Sequence, residues 1–405
     1  MPNHSVRNLR PFRRPFFQLF RFPSVRFQSL RVSALALILA AFTLPAMAAS
    51  FETKAHNAIV IDFATGQVLF EKAADVPIPT ASMSKLMTVY MLLERIKSGA
   101  IGLDDTLPVS EKAWRKGGSK MFVEVGKQVR VEDLLRGIIV QSGNDASIVV
   151  AEGLAGSEDA FAEMMTRRAR ELGLTQTTLK NATGWPDPDH RMSVHDLARV
   201  AMLTIRNFPE FYPIYSEKKF TFHDITQNNR NPLLYRGVGA DGLKTGHTEN
   251  AGYGLTASAK RGETRLVMVL AGLESARARG EESERLLNWA FRTFSTYRLA
   301  NAGEEISEAD VWLGQQTRVP LMLGDDLLVS MARADRPRMK VEAVYEGPVP
   351  APVRKGDRIG SLVVTAGDRQ ITSVPLLAAA DVEELGPFGR IGAAVAHLIW
   401  GQNDG

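Results

Sequence analysis

The chain has 405 residues, of which 45% are hydrophobic, and it contains no cysteine. This length predicts two or three domains with a sizeable core. The missing cysteine excludes disulfides, a thiol nucleophile and thiolate metal sites. The formal net charge is +4 at pH 7, and its distribution along the chain is uneven.

The N-terminal segment carries the excess positive charge. Residues 1–31 contain seven arginines and no acidic residue, residues 32–44 are apolar, and Pro45-Ala-Met-Ala48 has small residues at cleavage spacing. This order predicts a secretory signal peptide over residues 1–48, with an uncleaved signal anchor as the alternative. Without the seven arginines, 42 basic residues face 45 acidic ones. The mature chain therefore has a net charge of −3 and gives no electrostatic support for nucleic-acid binding.

Strand patterns stand at both ends of residues 49–298, and helical patterns lie between them. A hairpin over 58–70 opens the segment, and a second hairpin over 252–271 follows the helices. The predicted helices cover 82–97, 131–139, 142–154, 158–172, 194–205 and 283–294. This arrangement predicts an α/β (α+β) domain with an antiparallel sheet and a helical insertion.

The last hundred residues differ in sequence pattern from the segment before them. Short strand patterns separated by turns predict a small all-β domain over 299–384, which we interpret as a spacer or interaction module. Within residues 385–405, the apolar side chains near helical spacing lie in the stretch 386–400, which is too short to span a bilayer. They predict an amphipathic helix lying along a membrane surface, and a helix docked on its own domain is the alternative.

The first chemical motif is Ser82-x-x-Lys85, at the head of the predicted helix 82–97. Residues three apart lie on one helix face, so Lys85 can take the proton of the Ser82 hydroxyl if the amine is desolvated and neutral. Spacing alone is weak evidence, because Ser216-x-x-Lys219 repeats it.

Two further clusters follow Ser82 in order. Ser142-Gly-Asn144 offers a hydroxyl and an amide that can bond a peptide carbonyl. Lys244-Thr-Gly246 precedes the second hairpin, where Lys244 and Thr245 on an edge strand can face a substrate carboxylate and Gly246 lets backbone come close. The three motifs in this order are a signature of penicillin-binding proteins and class A β-lactamases. Ser216 fails the test of order, because Ser142-Gly-Asn144 lies before it.

The chain resembles the low-molecular-weight penicillin-binding proteins that act as serine-type D-alanyl-D-alanine carboxypeptidases. The matching residues are 79–85, 141–145, 181–184 and 241–248, and the resemblance covers the whole mature chain. It implies a penicillin-binding, β-lactamase-like transpeptidase domain. It also implies that the β-domain is a platform, that the terminal helix is an anchor, and that the protein lies in the periplasm on the outer face of the cytoplasmic membrane.

The resemblance also implies roles for the motif residues. Ser82 would attack the carbonyl between two terminal D-alanines of a peptidoglycan stem peptide, and Lys85 would take its proton. The remaining roles would be an oxyanion hole from the backbone N–H groups of Ser82 and His247, proton transfer by Ser142, and orientation of the acyl chain by Asn144. Lys244, Thr245 and Arg230 would bind the carboxylate, and Gly246 would belong to the substrate-binding residues. We expect β-lactams to acylate Ser82, burial and the Lys244 charge to lower the pKa of Lys85, and no cofactor or metal.

Three alternatives remain at this point. A β-lactamase would have a Glu-x-x-Leu-Asn motif after Asn144, which the segments at Glu163 and Glu171 do not provide. A zinc peptidase could use the cluster of Asp187, Asp189, His190 and His195, which lacks the His-Glu-x-x-His spacing. A non-catalytic peptidoglycan-binding protein would keep the fold, but the intact motifs argue against it. The loop 185–190 departs from close relatives of the family, in which apolar and glycine residues are frequent at this place, and this difference bears on deacylation and on the behaviour of the loop.

Overall fold

The computed structural model describes the backbone of residues 4–8 and all atoms of residues 51–391. The remainder of the predicted signal peptide and residues 392–405 of the predicted terminal helix lie outside these residues. Residues 4–8 form a first strand, β1 (His4–Asn8).

The larger unit contains a five-stranded antiparallel sheet and two separate pairs of short strands. Its strands are β2 (Asn57–Asp62), β3 (Val68–Lys72), β4 (Thr106–Pro108), β5 (Gln128–Arg130), β6 (Lys219–Phe222), β7 (Ile225–Asn228), β8 (Ala240–Thr248), β9 (Gly252–Arg261) and β10 (Thr264–Leu273). The main sheet has the order β3-β2-β10-β9-β8, which makes β8 an edge strand.

Helices occupy the long connection between β3 and β8 and the segment after β10. They are α1 (Lys85–Lys97), α2 (Glu111–Arg115), α3 (Val131–Ile139), α4 (Asn144–Ala155), α5 (Glu158–Glu171), α6 (Val194–Asn207) and α7 (Ala276–Thr293). Short 3-10 helices cover Ala81–Ser84, Tyr212–Ser216 and Pro232–Tyr235.

The sheet is covered on both faces, and its side chains alternate accordingly. In β2, Ala58 and Val60 belong to the cluster that includes residues of α7, whereas Ile59 and Ile61 belong to the cluster of the helical insertion. Successive strand residues point to opposite faces, so the apolar run of β2 supplies both layers. This packing fixes β8 at the edge of the sheet, beside the turn that precedes α1.

A second unit consists mainly of strands. They are β11 (Phe294–Ala300), β12 (Glu305–Trp312), β13 (Arg318–Leu323), β14 (Leu327–Ala332), β15 (Met339–Glu346), β16 (Val349–Pro350), β17 (Arg358–Ala366) and β18 (Arg369–Ala378), with a 3-10 helix at Arg333–Arg338. One sheet has the order β1-β15-β17-β18-β13-β12-β16, and β11 pairs with β14. Side chains tie this unit to the β2–β3 hairpin, because Thr296 donates to Asp62 Oδ2 (2.7 Å) and the Ser330 N–H donates to Gln67 Oε1 (2.6 Å).

The predicted fold class is confirmed, but three helix starts are wrong. Helix α4 begins at Asn144, two residues after the predicted start. Ser82 lies in the 3-10 helix and α1 begins at Lys85, whereas the prediction began the α-helix at Ser82. Helix α7 begins at Ala276, seven residues before the predicted start, because Ser275 caps it through the Ala278 N–H.

Candidate active site

The nucleophile turn is held between two glycines. Ala81, directly before Ser82, has φ of +47°, a left-handed conformation that non-glycine residues adopt at an energetic cost. A Cβ added to Gly184 would lie 2.0 Å from the Ala81 oxygen, and one added to Gly246 would lie 2.6 Å from the Thr80 oxygen. Both glycines therefore allow neighbouring backbone to close on the turn that presents Ser82.

Lys85 lies fully buried beside Ser82. Its Nζ donates to Ser82 Oγ (2.9 Å), Asn144 Oδ1 (2.7 Å) and the Thr183 carbonyl (2.5 Å). Burial, and next the positive charge of Arg230, lower the pKa of Lys85 to about 7. In the neutral form, two N–H groups suffice for Asn144 and Thr183, so the lone pair faces the Ser82 hydroxyl. The amine can thus accept the serine proton near neutral pH.

Ser142 and Lys244 form a second buried pair. Lys244 Nζ donates to Ser142 Oγ (2.9 Å) and to the Thr245 carbonyl (3.0 Å). Ser142 has φ of +60°, at the turn that leads into α4. Burial lowers the pKa of Lys244 well below its usual value, and the charges of Lys85, Arg230 and Arg279 lower it further. The expected repulsion between Lys85 and Lys244 is present and lowers the pKa of Lys244, and Arg230 is the first charge that lowers the pKa of Lys85.

Two arginines complete a positively charged end of the cleft. Arg230 Nη1 donates to the Ser119 hydroxyl. Arg279, a buried residue of α7, donates to the Arg230 carbonyl (3.5 Å) and places its guanidinium 5.7 Å from the centre of the Tyr253 ring. Since like charges disfavour one another's charged forms, this end is complementary to an anion. Sequence reasoning missed Arg279, because a polar helix without a motif carries it.

The buried carboxylate of Asp145 fixes the loop opposite β8. It accepts the backbone N–H groups of Met121 (2.8 Å), Phe122 (2.8 Å) and Val123 (3.2 Å). These bonds anchor the segment that carries Ser119, the partner of Arg230. Asp145 is therefore a positioning residue, a role that its place in the segment 141–145 does not predict.

The cleft itself has a volume of about 480 Å³. Ser82, Asn144 and His247 contribute to its wall, and the His247 ring stacks on Tyr253 with 3.8 Å between ring centres. At the rim, Lys116 Nζ lies 4.1 Å from the centre of the Trp185 ring. Of the other predicted residues, Lys85 bonds to Ser82 and Asn144, and Lys244 bonds to Ser142. Arg230 bonds to Ser119, which is itself part of the cleft wall.

Ser216 is placed elsewhere. It is exposed in the 3-10 helix before β6, and its hydroxyl donates to the Pro213 carbonyl (2.7 Å). Within the described residues, no hydrogen bond joins Ser216 to Lys219. The second Ser-x-x-Lys therefore lacks the buried base that Lys85 gives Ser82.

Comparison with known proteins identifies the family to which the chain belongs. The D-alanyl-D-alanine carboxypeptidase family model (peptidase S11) matches residues 44–275, which is more than half of the chain. The chain belongs to the D-alanyl-D-alanine carboxypeptidase family. A second model, the C-terminal domain of penicillin-binding protein 5, matches residues 294–384.

Relatives of this carboxypeptidase align over most of their length. D-alanyl-D-alanine carboxypeptidase DacC of Escherichia coli is 38% identical over 341 residues, which are 82% of this chain and 85% of the relative. Penicillin-binding protein 5 of Haemophilus influenzae is 36% identical, with a TM-score of 0.77 over 82% of this chain and 99% of that structure. Penicillin-binding protein D2 of Listeria monocytogenes in its ampicillin-bound form has a TM-score of 0.55 and 28% identity, over 60% and 98%.

The described part of this carboxypeptidase contains no helix long and apolar enough to cross a membrane.

Proposed function

We propose that the cleft removes the terminal D-alanine from peptidoglycan stem peptides through an acyl-enzyme on Ser82. The substrate carboxylate binds at the positive end of the cleft, where Arg230, Lys244 and Thr245 meet. Several buried cations depress one another's proton affinity there, and a bound carboxylate compensates for that charge. Recognition of a free carboxylate is what restricts cleavage to the end of a peptide.

The acylation step then uses the two serine–lysine pairs. Lys85 takes the proton of Ser82 as Oγ attacks the carbonyl carbon. The backbone N–H groups of Ser82 and His247 stabilise the oxyanion, and Asn144 orients the acyl chain. The C–N bond breaks, and the leaving amine takes a proton that Lys244 passes through the Ser142 hydroxyl. The bound carboxylate raises the proton affinity of Lys244 and so prepares it for this role.

Hydrolysis completes the cycle. Water attacks the acyl carbon, Ser82 leaves with a proton, and the proton released by water replaces the one that the amine took. A β-lactam presents a strained amide and a carboxylate in the same cleft, so its ring opening acylates Ser82. The ampicillin-bound relative supports this part of the proposal.

We further propose the location and division of the chain. Residues 1–48 direct export to the periplasm and are removed, and the strand β1 that pairs with β15 is removed with them. Residues 49–298 form the carboxypeptidase domain, and residues 299–384 form the platform. Residues 385–405 hold the protein on the outer face of the cytoplasmic membrane. Supporting this anchor, residues 387–391 are helical, and Phe388 and Ile391 are 90% and 64% exposed.

The observation that carries the reaction is the 2.9 Å contact between the Lys85 amine and the Ser82 hydroxyl, with a lysine pKa of about 7. The test is release of D-alanine from a pentapeptide that ends in D-Ala-D-Ala. Wild type and Ser216→Ala should release it at the same rate, and Ser82→Ala should lose at least 10³-fold in kcat/KM. Unchanged release by Ser82→Ala would overturn the proposal.

A further inference from the structure

The large sheet of the second unit has an edge that export would uncover. Strand β1 pairs with β15 in antiparallel register over five residues, and β15 pairs with β17 on its other side. Cleavage of residues 1–48, as proposed above, removes β1 with the signal peptide. In the mature chain, β15 is then an edge strand with a row of unpaired backbone N–H and C=O groups.

Strand β15 lacks the backbone features that usually protect such an edge. It is eight residues long, contains no proline and pairs with β17 without a register shift. The opposite edge strand, β16, has two residues and ends at Pro350. Proteins block edge strands by shortness, proline or bulges, because an open edge recruits another strand. The backbone of β15 is therefore suited to pairing, and its pairing with β1 demonstrates that an extended strand fits along it.

The two faces of β15 differ in polarity. Val341, Ala343 and Tyr345 contribute to the apolar core of the second unit. The alternate residues carry charges, and of these Lys340 and Glu346 are exposed. Opposed residues on neighbouring antiparallel strands point to the same face. A strand added to β15 therefore has to match apolar side chains on one face and charges on the other.

A second copy of β15 satisfies both faces in one register. Two copies related by a two-fold axis pair antiparallel, and the axis passes between the same residue of each strand. With the axis at Ala343, Lys340 lies opposite Glu346 of the second copy, and Val341 lies opposite Tyr345. Symmetry repeats both contacts, and residues 340–346 of each strand are paired.

Neighbouring registers are less favourable. An axis at Glu342 places that carboxylate opposite its own copy, and an axis at Val344 places Glu342 opposite Glu346. Like charges directly opposite each other destabilise a strand pair. An axis at Val341 places Lys340 opposite Glu342, but only residues 339–343 then remain paired within β15. The charges on this edge therefore select one register instead of preventing pairing.

We propose that the mature protein forms a two-fold dimer in which β15 of each copy joins the two large sheets into one continuous sheet. Attachment of both copies to one membrane surface, as proposed above, raises their effective concentration and so favours a contact of this limited size. The inference goes beyond the carboxypeptidase function, and it rests on the proposed removal of residues 1–48.

The register is directly testable because the chain contains no cysteine. Precursors carrying Lys340→Cys and Glu346→Cys are co-expressed with different affinity tags, and the membranes are treated with a short bismaleimide. The two positions are cross-strand neighbours with about 5 Å between Cβ atoms, so a mixed covalent dimer should form. The same position in two copies is about 20 Å apart along the strands. Each variant expressed alone should therefore give no covalent dimer.

Charge reversal tests the contribution of the paired charges. Lys340→Glu places a carboxylate opposite Glu346 at both symmetric contacts and should raise the dissociation constant of the dimer about tenfold. Lys340→Glu combined with Glu346→Lys exchanges the two charges and should restore the wild-type constant. Lys355→Glu changes an exposed lysine outside β15 and should leave the constant unchanged. Sedimentation of the detergent-solubilised mature protein measures these constants.

Absence of the mixed cross-link would overturn the dimer, and so would cross-linking of either variant alone, since that requires another register. A mature protein whose mass still includes residues 4–8 would also overturn it, because β1 would then cover β15. The carboxypeptidase function fails separately, by absence of D-alanine release from the wild-type protein in either oligomeric state.

Discussion

Protonation of Lys85 should determine how the acylation rate falls at acidic pH. The pKa of Lys85 is about 7, and only the neutral amine can take the Ser82 proton. The neutral fraction is then about half at pH 7 and about 1% at pH 5. The second-order rate constant for acylation by benzylpenicillin should therefore fall about tenfold per pH unit below 7 and about a hundredfold between the plateau and pH 5. Labelling with a fluorescent penicillin, quenched by denaturant, measures this constant.

Removal of the Arg230 charge should shift the pH at which the acylation rate begins to fall. Arg230 is the first cation that lowers the pKa of Lys85, so Arg230→Gln should raise that pKa and shift the inflection to higher pH. Arg236→Gln is the matched control, because that arginine pairs with Glu284 on the surface and should leave the inflection near 7. A rate independent of pH from 5 to 9 would refute the assignment of Lys85 as the base. An inflection unmoved by Arg230→Gln would refute the electrostatic argument.

Two further predictions concern the nucleophile turn and the terminal helix. Gly184→Ala adds a Cβ 2.0 Å from the Ala81 oxygen at a φ of +72° and should cost about 2–4 kcal/mol of stability. Gly262→Ala, at a φ of +57° with open space around it, should cost about 1 kcal/mol. Equal shifts in thermal unfolding would contradict the close approach. Deleting residues 386–405 should release the protein from membranes with carboxypeptidase activity retained, and retention in the membrane fraction would refute the anchor.

The sequence predicts correctly those helices whose ends are determined by neighbouring residues. The bounds of α3 follow from its apolar spacing, and Ser193 caps α6 by accepting the Asp196 N–H, as the spacing of the two residues predicts. The first turn of α7 was missed because its arginines and glutamates lack an apolar period. The pattern predicts an α-helix at Ser82, whereas the turn 80–81 before it lies against Gly184 and Gly246, which come from distant parts of the chain.

The candidate site also combines residues that the sequence identifies with contacts that form only in the folded chain. Ordered motifs identified the residues that surround the cleft, since motif order is a property of the sequence. The influence of Arg230 on Lys85, the bonds of Asp145 to the opposite loop, and the presence of Arg279 arise only when separate elements pack together.

The choice between the two Ser-x-x-Lys motifs is the central claim, and intact-mass analysis after benzylpenicillin tests it directly. Wild type and Ser216→Ala should each carry one covalent adduct, and Ser82→Ala should carry none. An adduct on the Ser82→Ala protein, or its loss in Ser216→Ala, would contradict the account.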